Sequence, residues 1–316
     1  MAGALSFLHM TASADVTQRF LLENLDIRGQ VVRLGPLWRA LLGRRDYPDS
    51  IRPLLGEFSA LAVLIAGGLK HPGRAVLQVM GHGPIAMAVA DCTQDLGLRA
   101  MVKVSDVAKV EALVSGHSLH DLFADGRLAL TIENHATARH FQSIVPVEGA
   151  TLAESFERYF DRSEQVPTHL WVRSTPQSVG ALILQKLPQA DRKDASGWAR
   201  IQQLAAQKAP LLLGDGDPAD VAPGPAAGEG IGAAKPDLTG LIAALFPEDD
   251  VRLYTPQAVR DGCSRSEEKV ISMLRGLGRA EVEATLEEHG VVAVHDEICN
   301  QEYRFTAADL PRVFGD

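Results

Sequence analysis

Two short clusters near the C-terminal end hold the residues best suited to chemistry. Asp261-Gly-Cys263-Ser-Arg is answered, 33 positions beyond Cys263, by Asp296-Glu-Ile-Cys299-Asn-Gln-Glu-Tyr-Arg-Phe305. Two donor pairs at about this separation are an arrangement that holds tetrahedral zinc, because four thiolates fill the shell the ion prefers. Here aspartate stands first in each pair and only two sulfurs remain. Two readings stay open. In one, Asp261, Cys263, Asp296 and Cys299 hold Zn2+ through two carboxylates and two thiolates, with His295 as a substitute ligand. Carboxylate oxygen binds zinc at about 2.0–2.2 Å, although it selects the ion less sharply than sulfur does. In the other, the segment is a metal-free module held by Val291, Ile298, Tyr303, Phe305 and Leu310. Two carboxylates kept in ligand geometry would then repel, and one would titrate upward.

The elements that position these clusters are legible in the hydrophobic pattern. Leu54, Leu55, Phe58, Leu61, Leu64 and Ile65 recur at helical steps before His71-Pro-Gly73 stops the run. Ala75 to Met80 and Ile85 to Asp91 read as a hairpin about Gly81-His-Gly-Pro84. Val31 to Leu34, Arg127 to Glu133, Thr168 to Arg173 and Ala181 to Gln185 are further strands. Thr151 starts a helix, with Glu154 as its capping-box partner. The fold class is α/β of the α+β kind, a hairpin-rich sheet with helices. Pro and Gly crowd from Ala209 to Pro236, and that tract reads as a flexible insertion within a linker. Three parts follow: a core over 1–189, a linker over 190–250, and a small module over 251–316.

Bulk properties exclude some classes. The 316 residues carry a net charge of -9, with 46% hydrophobic and 22% charged residues, so no nucleic-acid partner is expected. Three cysteines make no disulfide framework, which points to an intracellular chain. The start, Met1-Ala-Gly-Ala-Leu-Ser-Phe, shows no signal-peptide pattern, and Phe58 to Leu69 is too short to span a membrane. The expectation is a soluble, cytoplasmic protein with no membrane partner.

Several lures fail. Gly228-Glu-Gly-Ile-Gly-Ala233 fits a dinucleotide fingerprint but follows Pro-Gly-Pro rather than a strand. Asp215-Gly-Asp-Pro-Ala-Asp220 suggests a calcium loop, yet Ala226 occupies the place of the closing glutamate. His117, His120 and Asp121 read as surface groups at a helix end, and Cys92 as a small buried hydrophobe. No nucleophile is assembled with a base, so no enzyme is expected.

Ordered blocks along the chain carry a resemblance. They include Asp26-Ile-Arg-Gly29, Tyr47-Pro48, Leu54-Leu-Gly-Glu57, Gly81-His-Gly-Pro84 and Leu184-Gln-Lys-Leu-Pro188. Tyr159-Phe-Asp-Arg-Ser-Glu-Gln-Val-Pro-Thr168 is the most specific, and Cys263-Ser-Arg and Asn300-x-x-Tyr303-x-Phe305 extend the match. The chain resembles the 33-kilodalton heat-shock protein family of redox-regulated holdase chaperones. That resemblance implies an α/β core, a metastable helical linker and a C-terminal zinc module in which four cysteines form the switch. It implies unfolded client proteins as partners, a homodimer, and binding without ATP. Asp261 and Asp296 depart from the pattern. Neither within-pair disulfide can form, and the bridge left is Cys263–Cys299, which needs Cα atoms within about 7 Å. The reading is a holdase with weakened redox control, constitutive or heat-triggered. The alternative is a single-disulfide redox or metal sensor using Cys263 and Cys299. A metal-dependent hydrolase built on the mixed centre is the remaining rival.

Overall fold

The patterns above become a mixed α and β architecture in the computed structural model, which describes residues 15–112, 118–214, 238–263 and 267–315. The chain divides into two units, Met1–Gly262 and Cys263–Asp316. The first opens with strands β1 (Val16–Leu22) and β2 (Ile27–Leu34), then α1 (Pro36–Leu42). A 3-10 turn, Asp49–Ile51, leads into α2 (Arg52–Gly67). Strands β3 (Gly73–Met80), β4 (Ile85–Thr93) and β5 (Gly97–Val104) form a meander. Two short helices, α3 (Val107–Ala112) and α4 (Leu119–Phe123), precede β6 (Arg127–Asn134) and β7 (Arg139–Val145). Helix α5 (Leu152–Arg162) comes before the pair β8 (Thr168–Ser174) and β9 (Val179–Lys186). Helices α6 (Ala190–Lys193), α7 (Gly197–Leu212) and α8 (Leu238–Leu245) are followed by β10 (Val251–Leu253), β11 (Gln257–Ala258) and β12 (Arg260–Asp261).

Two sheets result. One has the order β10-β1-β2-β9-β8, with β11 also on β1; the other runs β12-β5-β4-β3-β6-β7. Helix α2 is buried between them. Its Leu55, Phe58, Leu61 and Ala62 share a core with Val32, Leu34 and Val179 of the first sheet and with Leu77, Val79 and Ala88 of the second. A helix apolar over most of its surface must be largely enclosed, and this one is. With its 3-10 lead-in it runs 19 residues from Asp49, long and apolar enough to cross a membrane, yet its side chains fill the core. Gly67 lets α2 approach the first sheet, since a Cβ there would meet the Gln30 side chain at 2.4 Å.

Alternation along β1, β2 and β9 sends a second apolar set to the far side of the first sheet. Phe20, Leu22, Ile27, Val31, Leu182 and Leu184 are buried there beneath Ile201, Ala205 and Ala209 of α7 and Leu241, Ile242 and Leu245 of α8. This corrects the linker reading at its near end. The flexible tract expected from Ala209 begins as helix through Leu212, with Ala209, Leu212 and Leu213 buried. Apolar contact with the sheet outweighs the poor helix propensity of Pro210. The rest of that tract, with the dinucleotide-like and calcium-like motifs, lies outside the described residues. Residues 251–261, read as part of the C-terminal module, pair instead with β1 and β5 of the first unit.

The second unit contains α9 (Glu267–Leu277), α10 (Arg279–His289), β13 (Val292–Asp296), β14 (Gln301–Phe305) and α11 (Leu310–Phe314). Its small core is Ile271, Leu274, Val282, Leu286, Val292, Phe305 and Val313. Phe305, Tyr303 and Leu310 belong to it as expected, but Val291 and Ile298 do not. The strand begins at Val292, and the alternating pattern puts Val292 rather than Val291 on the inner face.

Candidate functional site

The four C-terminal residues singled out above are placed in different local settings. Asp261 belongs to β12, which pairs in parallel with β5; Gly262 N donates to Leu98 O at 2.8 Å just beyond it. Both Asp261 oxygens accept from Arg44 Nη2, at 2.7 and 2.6 Å, and the Arg44 side chain is only 14% exposed. A carboxylate bound this way is occupied by a cation.

Cys263 and Cys299 form a disulfide in the second unit, with Cα atoms 5.6 Å apart, inside the limit set above. Asp296 ends β13 and shapes the turn into β14. Its Oδ1 accepts from the backbone N–H of Ile298 at 3.0 Å and of Cys299 at 3.1 Å, an Asx-type turn that seats the second cysteine. His295 is exposed on β13, where it pairs with Glu302 across the hairpin.

This donor set does not fit zinc as it stands. Both sulfurs are joined, Asp261 is held by a guanidinium, and Asp296 accepts two peptide N–H groups. Among the described residues no group of three or more His, Cys, Asp or Glu is placed to hold a metal. The other sequence candidates take structural roles. Asp121 closes a capping box with Ser118 at the start of α4, His120 is exposed, and His117 lies outside the described residues. Cys92 is fully buried, and burial followed by the charges of Asp91 and Asp95 pushes its thiol up, so it carries little thiolate.

A second candidate is a surface under a cover. Helix α7 ends against the first sheet where Gly180 leaves room; a Cβ there would meet Leu213 O at 2.3 Å. Buried Arg33 on β2 donates from Nη2 to Leu212 O at 3.1 Å, placing a cation at the negative end of the helix. Lys208 Nζ donates to Ala244 O at 3.0 Å, and Arg200 pairs with Asp249 at 2.5 Å. Trp198 of α7 lies 5.9 Å from the His169 ring on β8. A few polar anchors and one apolar stripe therefore hold α7 and α8 over six large apolar side chains of the sheet.

The Hsp33 protein family pattern matches residues 15–306. The chain belongs to the Hsp33 family. Hsp33 proteins are chaperones rather than enzymes. The 33 kDa chaperonin of Methylobacillus flagellatus is 35% identical over 95% of this chain and 94% of its own length. That of Nitrosococcus oceani is 34% identical over 95% of this chain and 94% of its own. The crystal structure of the Thermotoga maritima Hsp33 homologue shares the fold, with a TM-score of 0.69 at 19% identity, covering 95% of this chain and 97% of that one.

Sequence reasoning missed the Hsp33 residues that fasten the cover. Arg33 and Gly180 carry no local signal, because their partners lie 179 and 33 positions away in the chain. Glu57 ends the Leu54-Leu-Gly-Glu57 block. It is a largely buried carboxyl that accepts from Leu152 N at 2.9 Å, capping α5 from α2. Burial, then the nearby Glu154 charge, raises it to about 7 against those backbone hydrogen bonds. Glu154 does not complete the expected box. Thr151 Oγ1 accepts from Glu154 N, but the Glu154 carboxylate accepts from Ala150 N instead.

Proposed function

We propose that the protein is an ATP-independent holdase that binds unfolding proteins on the apolar face of its first sheet once α7 and α8 lift away. The observation that carries this reading is the cover itself. Phe20, Leu22, Ile27, Val31, Leu182 and Leu184 form a contiguous apolar surface under two helices fastened at few polar points. Each such side chain gains roughly 1.5–3 kcal/mol from leaving water. An exposed face of this kind is stabilised equally by helix or by client.

Control is where this chain departs from a four-cysteine switch. With Asp261 fixed to Arg44, neither sulfur pairing within a cluster nor metal loss can act on that position. The proposal is therefore a heat-triggered or constitutive holdase that responds little to peroxide. Light scattering from a thermally unfolding client tests it. Suppression by the reduced protein, changed less than twofold by peroxide, is the expected result. Suppression that begins only after oxidation rejects this form of control.

One observation favours a second reading, a single-disulfide switch: Cys263 and Cys299 are bonded. A loop with a separation of 36 residues gains about 4 kcal/mol from closure in the chain-entropy treatment. That matters for a unit near the size at which domains are marginal. Cys263→Ser should then lower the unit's melting transition to that of reduced protein, with reductant having no further effect. If reductant changes client binding in the parent and not in the variant, the switch reading gains over the heat-triggered one.

A further inference from the structure

On the face of the first sheet opposite α7 and α8, α2 stops at Gly67 and the strands run on beyond it. A cleft of about 550 Å³ opens there, within the roughly 300–1,000 Å³ usual for small-molecule sites. Three cations line it, Arg19 of β1, Arg28 of β2 and Lys70 just after α2, and no Asp or Glu does.

None of the three is paired with a carboxylate among the described residues. Arg44, Arg74, Arg99, Arg200, Arg260 and Arg312 each reach a carboxylate, as expected where acids outnumber bases 40 to 31. Among the described residues, Arg28 has only the amide of Gln185, which accepts from Nε at 2.8 Å, and Arg19 has only the face of Tyr254. Lys70 has neither ion pair nor hydrogen bond to another described side chain. The register sharpens the point. Arg19 faces Gln30 and Arg28 faces Leu21, so the two guanidinium residues are diagonal neighbours on one face of an antiparallel pair. A single anion between two such diagonal neighbours would be within reach of both side chains. Burial lowers the Arg28 guanidinium, and no carboxylate acts to raise it. The rest of the wall is apolar, including Leu21, Leu69 and Leu187.

We infer that this cleft binds a small anionic amphiphile, its acid head between Arg19, Arg28 and Lys70 and its apolar body along Leu21, Leu69 and Leu187. The shared chemistry is an oxyanion on a short apolar chain, and the head can be carboxylate or phosphate. Because the site is on the other face from the α7–α8 cover, its occupancy is measured independently of client binding.

Calorimetric titration of the full chain with octanoate and with octyl phosphate, both well below their micelle concentrations, tests the inference. Saturable one-to-one binding of at least one is expected, weakened at least tenfold in the double variant Arg19→Gln, Lys70→Gln. Both residues are exposed, so folding survives the change. Arg28→Gln should weaken binding similarly, and raising salt should weaken it in the parent more than in either variant. The stronger of the two ligands identifies the head group. Equal binding of neutral octyl glucoside, unchanged affinity in the variants, or binding of an acidic peptide but neither amphiphile each overturns the proposal.

Discussion

The two faces of the first sheet are covered in different ways. On one, α2 is enclosed between two sheets and apolar over most of its surface, so it has no stable existence apart from them. On the other, α7 and α8 contribute one stripe each, and Leu211 of α7 remains 56% exposed. A helix that completes a core is part of the fold. A helix that only shields a surface is an occupant, replaceable by anything of similar polarity. The client binding proposed above uses the second kind, on a platform made rigid by the first.

The largest effect that would break this contrast is a matched pair of truncations. Phe58→Ala in α2 should cost about 3–5 kcal/mol and lower the main melting transition, because it opens a cavity between both sheets. Ile242→Ala in α8 removes apolar volume too, yet its loss, about 2–3 kcal/mol, should fall on the cover. Client suppression should rise while the main transition holds. Equal depression of one shared transition by both variants would show that cover and platform unfold together.

The pH dependence is next in size. Glu57 has a folded value near 7 against an ordinary 4.5, so the native state holds its proton more tightly than the unfolded chain does. Its contribution is full below about pH 4.5 and is lost as pH rises through 7, amounting to about 2–3 kcal/mol. Chemical denaturation at pH 5 and pH 8 should show that loss in the parent and a flat profile in Glu57→Gln. Arg33→Met comes third. It leaves Leu212 O without its charged donor at a cost of about 1.5–3 kcal/mol, and should free α7. Trp198 emission should shift to the red as its contact with His169 is lost, and an unshifted spectrum would count against Arg33 as a fastener. The smallest effect is Asp261→Asn. The pair is half exposed at the aspartate, so about 1 kcal/mol is expected, read as faster amide exchange over residues 251–262.

Much of the platform was legible because its signals are local. The steps from Leu54 to Ile65, the glycine and proline turn after Met80, and the Thr151 cap each lie within a few residues of what they specify. The cover was misread at Ala209–Leu212 because Pro and Gly composition is a local cue, whereas the helix there is stabilised by β2 and β9 far away in sequence. The Asp and Cys pairs are legible as residue types and spacing. What those residues do depends on Arg44, 217 positions before Asp261, and on turn hydrogen bonds of Asp296 that no spacing rule announces.

The short strands after α8 have one more consequence. β10 and β11 lie along β1, and β12 lies along β5, so one extended strap forms an outer border of each sheet. An open border presents unpaired peptide groups on which any extended polypeptide can be added. A chaperone that holds half-folded neighbours, as proposed above, meets that hazard directly. With β10, β11 and β12 only two or three residues long, these borders offer such a polypeptide little to pair with.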